Sequence, residues 1–219
     1  MNRLLFEKTG DAVFLSHLDL MRIFQRAFKR AGILIWHSQG YSPRAYVSIA
    51  LPLSVGTESV CELLDFEIEN GSVDIKQLPA LLNRMMPAGV RVLSAYESSE
   101  KIKKLVWLEA EVTLEYDGGI PLNAQKTLGT LFCRPSLTVV KHGKKGDSEV
   151  DIKERIHSME LRAVSKNELQ IHCIVSAQNP GLNPQLLVQA IEENCPDCKP
   201  DFARIRRVEV YDADLHPFR

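Results

Sequence analysis

The order of hydrophobic patterns along this 219-residue chain predicts an α+β protein made of two tandem ferredoxin-like (split βαβ) α/β sandwich domains. Three observations carry that expectation. A strand-period run leads into a capped amphipathic helix. Further strands, a second helix and a closing strand follow. The same plan of βα, strands and αβ then repeats beyond a polar, charged seam at residues 97–104. The seam sets the expected boundaries, residues 1–98 for the first domain and 105–219 for the second.

Residues 3–15 alternate around Leu5, Ala12 and Phe14, with Gly10-Asp11 as a turn, and read as a strand or hairpin entering the first helix. In that helix, residues 16–32, Ser16 and Asp19 stand in the Ser-x-x-acid relation of a capping box, and Gly32 sits where a helix end needs positive φ. Met21, Phe24, Ala27 or Phe28, and Ala31 recur at helical spacing as an apolar stripe; Arg22, Arg26, Lys29 and Arg30 make a cationic stripe on the other side. Such a helix is anchored on one face and free to meet phosphates or acidic partners on the other, although many basic helix faces are only solvated surface. The apolar run 33–36 is of strand length, and the Gly, Ser and Pro of 38–44 mark an ordered loop. Residues 46–51 and 61–68 read as strands, 74–86 as a helix despite Pro79, and 89–96 as a strand.

In the second half, 105–116 alternates strictly and is a strand; after the turn at Asp117-Gly118-Gly119, residues 122–132 are a helix. Strands follow at 136–141, 159–163 and 169–176. Pro184 suits the first turn of a helix over 185–194, and 203–211 closes as a strand. The stretch Lys141-His142-Gly143-Lys144-Lys145-Gly146 is a basic loop or hairpin tip, with neither the spacing nor the following helix of a phosphate loop.

Composition narrows the function classes. Hydrophobic residues make up 45% and charged residues 25%, with a net charge of −1. No run approaches the roughly 18 apolar residues of a membrane span, no leader is expected, and five irregularly placed cysteines do not form a disulfide framework, so the cytoplasm is the expected compartment. Residues 1–50 carry seven basic and three acidic side chains, residues 51–100 three and eight. That gradient excludes a uniformly basic nucleic-acid coat but not a local basic face.

Cys195 and Cys198, in Cys195-Pro196-Asp197-Cys198, are the only metal or redox candidates, and weak ones. Zinc needs about four ligands, no second Cys/His pair has matching spacing, and the pair follows a helix rather than opening one. No three cysteines have the spacing that holds a radical SAM iron–sulfur cluster, so no cofactor of its own is expected. His17, His37 and Tyr41 are the acid–base candidates for metal-free RNA cleavage. The stronger constellation joins the helix to the loop after it: Arg30, His37, Tyr41 and Arg44 as one cationic rim with an aromatic inside, suited to phosphate contacts and base stacking. Arg204, Arg206 and Arg207 form a second basic cluster, and Glu58, Glu62 and Asp65 read as an acidic strand edge.

The stretch Phe14-Leu15-Ser16-His17-Leu18-Asp19-Leu20-Met21-Arg22 continues through Arg26-Ala27-Phe28-Lys29-Arg30-Ala31-Gly32 and Ser38-Gln39-Gly40-Tyr41-Ser42-Pro43-Arg44. With Leu51-Pro52-Leu53-Ser54-Val55-Gly56-Thr57-Glu58-Ser59, Glu62 and Asp65, it resembles the bacterial radical SAM-associated family, a domain of unknown function. The C-terminal half matches loosely, through Asp151-Ile152, Leu182-Asn183-Pro184 and Arg206-Arg207, and Tyr46 stands where the family shows a basic residue. The resemblance implies a partner, a cobalamin-binding radical SAM protein beside or fused to such chains, and gene neighbourhoods of ribonuclease G and ribosomal proteins that point toward RNA.

The leading expectation is a non-catalytic accessory or substrate-binding subunit of a radical SAM enzyme, holding RNA or another phosphate-rich substrate through Arg22, Arg26, Lys29, Arg30, Tyr41 and Arg44. Two alternatives stand beside it. One is a metal-independent nuclease using His17, His37 and Tyr41; the other is a protein–protein adaptor without nucleic-acid binding.

Overall fold

The computed structural model describes every residue of the chain except 40, 42, 70–72, 144 and 145. Among the described residues lie ten strands and four α-helices, and the chain divides into two compact units, Met1–Lys104 with Arg219, and Leu105–Phe218.

The first unit runs β1 (Asn2–Lys8), α1 (His17–Arg30), β2 (Val47–Ile49), β3 (Thr57–Phe66), α2 (Leu78–Asn83) and β4 (Val90–Glu97). Every pairing is antiparallel. β1 lies between β4 and β3, and residues 64–66 of β3 pair with β1 on one side and β2 on the other, so the lateral order is β4-β1-β3-β2. Register puts Leu4 opposite Leu64, and the alternation of a strand then sends Phe6 and Phe66 to the same face. On that face Phe6 meets Phe24 edge-on at 4.7 Å between centroids, and Phe28 lies 4.8 Å from Phe66. These rings are fully buried and fix α1 on the sheet.

The second unit runs β5 (Trp107–Glu115), α3 (Ala124–Phe132), β6 (Thr138–Gly143), β7 (Gly146–Asp151), β8 (Ile156–Ala163), β9 (Glu168–Ser176), α4 (Gln185–Asn194) and β10 (Phe202–Tyr211). Its lateral order is β10-β5-β9-β8, all antiparallel, with β6 and β7 as a separate two-stranded pair. Alternate residues of β5 and β9 (Leu108, Val112, Ile171, Val175) are buried, as are Leu128, Leu131, Leu187 and Ile191 of the helices.

Several local expectations change. Residues 3–15 form no hairpin: after Lys8, Gly10 takes φ +55° and a 3-10 turn, Gly10–Phe14, carries the chain to α1. The run 33–36 is not a strand of its own. It makes a single bridge, Ile35 to Ile68, and exchanges bonds with 67–69 through Trp36 N–H to Glu67 O and Glu69 N–H to Leu34 O. The helix expected over 74–86 is a 3-10 turn (Ile75–Gln77) followed by the six-residue α2, with Pro79 in its first turn, where a missing N–H costs nothing. α2 ends as Asn83 turns its amide to both backbone groups of Val92. Pro184 sits at the N-cap of α4 rather than inside it.

Candidate functional site

The helix α1 is specified at both ends by its own sequence. Ser16 is the N-cap: its Oγ accepts the Asp19 N–H (3.2 Å) and its hydroxyl donates to Asp19 Oδ2 (2.6 Å). That hydroxyl, then the Arg22 guanidinium, holds the Asp19 carboxyl below its usual range. At the other end Gly32 N–H bonds Lys29 O and Ile33 N–H bonds Phe28 O, with Gly32 at φ +71°. This is a Schellman motif, with the accompanying apolar contact supplied by Phe28 and Ile33, both buried. The buried stripe is Leu20, Phe24, Ala27 and Phe28, so Leu20 rather than the half-buried Met21 heads it.

The chain leaving Gly32 turns back along α1 and is tied to it. Gln25 Nε2 donates to Ala45 O (2.8 Å). Ser38 N–H bonds Arg44 O (2.9 Å) and Arg44 N–H bonds Ser38 Oγ (3.2 Å), closing the loop that presents Arg44. Between helix and loop lies a cavity of about 430 Å³, within the size range of small-ligand sites. Arg22, Arg26 and Lys29 line it from one turn to the next of α1, and His37 and Arg44 face them from the returning segment. Phe28, Ile33, Leu34 and Ile35 supply apolar wall, and among the described residues no carboxylate lines it. Arg22 shares its charge with exposed Asp19 at 3.3 Å. Among the described residues no acid lies within ion-pair distance of Arg26, Lys29 or Arg44, so their field is directed at whatever enters.

The expected rim is therefore only half assembled. His37 and Arg44 line the cavity with Arg22, Arg26 and Lys29, but Arg30, about 100° further round the helix than Lys29, faces a neighbouring cavity beside Arg84. Tyr41 is fully exposed and lines neither, and the flanking Gly40 and Ser42 of its loop motif lie outside the described residues. His17, half-buried in the first turn of α1, is not among the lining residues. Gln25, Arg84 and the apolar wall of 33–35 were missed from sequence. Gln25, three residues after Arg22 and four before Lys29, had the helical spacing to be noticed.

The other candidates fall elsewhere. Cys195 is half-buried and Cys198 buried, and burial, then the charges of Cys195 and Asp197, pushes the Cys198 thiol up, away from the thiolate that metal or redox chemistry needs. Burial likewise raises Cys173 to about 12. Arg204 is held by Glu115 and by Glu168 (2.9 Å), and Arg207 is buried, so the C-terminal arginines are not a free basic cluster. The acidic strand edge also dissolves. Asp65 lies in the sheet interior with its carboxylate bidentate on buried Arg3, Glu62 is buried, and Glu58 accepts the Gly10 N–H at 3.2 Å. Lys144 and Lys145 of the basic hairpin tip lie outside the described residues. No helix among the described residues is long and apolar enough to cross a membrane.

In comparison with solved structures, the fold is similar to a chain in the crystal structure of a Cbf5-Nop10-Gar1 complex: TM-score 0.55 at 8% identity, over 95% of this chain and 48% of that one. The archaeal box H/ACA sRNP Nop10-Cbf5 complex gives TM-score 0.48 at 9% identity, over 94% of this chain and 46% of that one. This chain thus spans about half the length of those it resembles, and at such identity the likeness concerns fold alone. No curated protein matches the sequence. The model of a family described as an uncharacterized protein conserved in bacteria (DUF2344) matches residues 2–184, and by that match the chain belongs to this bacterial family.

Proposed function

We propose that the chain is a non-catalytic substrate-binding subunit that serves a cobalamin-binding radical SAM protein in the cytoplasm and holds RNA by its phosphates in the cavity beside α1. The observation that carries the reading is the convergence of Arg26, Lys29 and Arg44 on one apolar-walled cavity without a carboxylate to neutralise them. Guanidinium forks match phosphate oxygens, and exposed Leu34 offers an apolar surface for a base. The resemblance of the Ser16–Asp19 and Ser38–Arg44 motifs to the radical SAM-associated family supports the partner. The reading leaves the radical chemistry to that partner, in keeping with five cysteines that lack cluster spacing.

We also read each unit as a ferredoxin-like domain. Each has the order of a split βαβ sandwich, β4-β1-β3-β2 in the first and β10-β5-β9-β8 in the second, where β6 and β7 form a hairpin inserted before β8. In that frame α1 is the first crossover helix.

The test is a native gel of purified protein with a mixed transfer and ribosomal RNA pool in EDTA. The proposal expects a shifted band without fragments that weakens steeply with salt, as counterion release requires. It also expects loss of the shift in a folded variant carrying Arg22→Ala, Arg26→Ala and Lys29→Ala. An unchanged shift in that variant overturns the site. RNA fragments would restore the nuclease reading, of whose three residues His37 alone lines the cavity.

A further inference from the structure

We infer that the nucleic acid this chain holds is an extended single-stranded RNA that crosses α1, passing from the cavity of Lys29 and Arg44 over Arg26 into a second cavity headed by Arg84. The inference rests on the RNA reading above and adds to it the form and length of the ligand.

The second cavity, about 610 Å³, lies on the other flank of α1, against the turn that follows α2. Arg26 lines both cavities, so the two are joined at one guanidinium rather than separated by apolar helix surface. Arg30 and Arg84 complete the cationic lining, opposed by a single acid, Asp11. Arg84 is exposed and caps α2, and among the described residues it has no acidic partner within ion-pair distance. The wall that carries it is fixed: Thr9 N–H bonds Gly89 O at 2.8 Å, and a Cβ on Gly89 would fall 2.3 Å from Thr9 O, so the turn sits directly on the chain before α1. Half-buried Met85 and Met86 line this cavity, as Phe28 and Ile33 line the first.

Cations on both flanks of one helix, linked through a shared arginine, suit a backbone that runs over the helix; a mononucleotide fills one side and leaves the other unused. Apolar walls within each cavity add a second criterion. A duplex keeps its base faces stacked inside and can offer only phosphate and sugar, whereas a single strand can set bases against exposed Leu34 or the half-buried methionines.

The test measures binding of uridine oligomers of increasing length, and of a duplex as long as the longest oligomer, to the full chain in EDTA across a salt series. For the wild type, affinity should rise with length beyond a dinucleotide, and the single strand should bind more tightly than the duplex. Arg84→Ala should weaken the longest oligomer several-fold and lower its salt slope by about 0.7 per lost phosphate contact, a larger effect than on the dinucleotide. Arg44→Ala should weaken both. Arg84→Lys should restore the slope, which a merely structural role would not require. If Arg84→Ala leaves the longest oligomer and its slope unchanged while wild type binds RNA, the crossing path is overturned and the binding-subunit reading survives. Tighter binding of the duplex overturns the single-strand assignment, and failure to bind RNA of any length removes the underlying reading as well.

Discussion

Replacing Asp65 should destabilise the first unit without touching the cavity beside α1. Arg3 is fully buried and the Asp65 side chain is 7% exposed. The guanidinium donates Nε to Oδ1 at 2.6 Å and Nη2 to Oδ2 at 3.0 Å, with Nη2 also bonded to Glu100 O at 2.8 Å. Asp65→Ala removes the carboxylate that both guanidinium nitrogens bond, a change that costs about 3–5 kcal/mol for buried pairs. In a chain of this size each kcal/mol lowers Tm by roughly 2–4 °C, so the expected fall is roughly 6–20 °C. Asp65→Asn, which keeps an acceptor but no charge, should cost less. Arg3→Met with Asp65→Leu should recover most of the loss, because two apolar groups leave no buried charge behind. Trp36 and Trp107, one in each unit, allow the assay to be local: urea unfolding followed by Trp36 fluorescence in a Trp107→Phe background reports the unit that holds the pair. A cost under about 1 kcal/mol, the value of an exposed ion pair, would show that the pair is not desolvated. Loss of RNA binding by a fully stable Asp65→Asn variant would make Asp65 a site residue instead.

Two further outcomes follow from the ends of α1. Gly32→Ala meets no neighbouring atom but must hold φ +71°, so it should destabilise by about 1–2 kcal/mol, read as a lowered urea midpoint; an unchanged midpoint would mean that the Schellman end is not maintained. Asp19 titrates below its ordinary value because the Ser16 hydroxyl and then Arg22 favour its charged form, so its contribution is complete above the unfolded aspartate pKa and is lost as pH falls through the depressed folded value. An NMR titration should show the Asp19 midpoint rising toward about 3.9 in Ser16→Ala, and an unmoved midpoint would refute the assigned cause.

How far sequence reasoning reached depended on how local each determinant is. Ser16, Asp19 and Gly32 act within a turn of themselves, and the alternation of 107–115 is a property of one strand, so both were legible. Arg3 and Asp65 are 62 residues apart, and an acid read in isolation on a strand looks like edge protection. The 33–36 run was apolar enough for a strand, but Ile33 is taken up by the helix cap and only Ile35 makes a bridge. Arg22, Arg26, Lys29 and Arg30 read as one stripe by their helical spacing, but the step from Lys29 to Arg30 separates the two cavities they face. Arg84 belongs with the α1 cations only because α2 ends early and its exit turn is brought against the chain before α1 through Thr9 and Gly89. That relation involves four segments and has no local signature.

The near-zero net charge does not count against a phosphate site once the charges are placed. On the half-exposed face of the second unit's sheet stand Glu109, Glu111, Glu115 and Glu168, with Arg204 held by Glu115 and Glu168 and His172 hydrogen-bonded to Glu109 at 2.5 Å. Around α1 the balance is reversed, with Arg26, Lys29, Arg30, Arg44 and Arg84 meeting only Asp11 across the two cavities that they line. A polyanion responds to the field within a Debye length of about 8 Å at physiological salt, not to the sum over the chain. On the proposed reading, a phosphate site beside α1 follows from this local balance of charge rather than from a net positive charge.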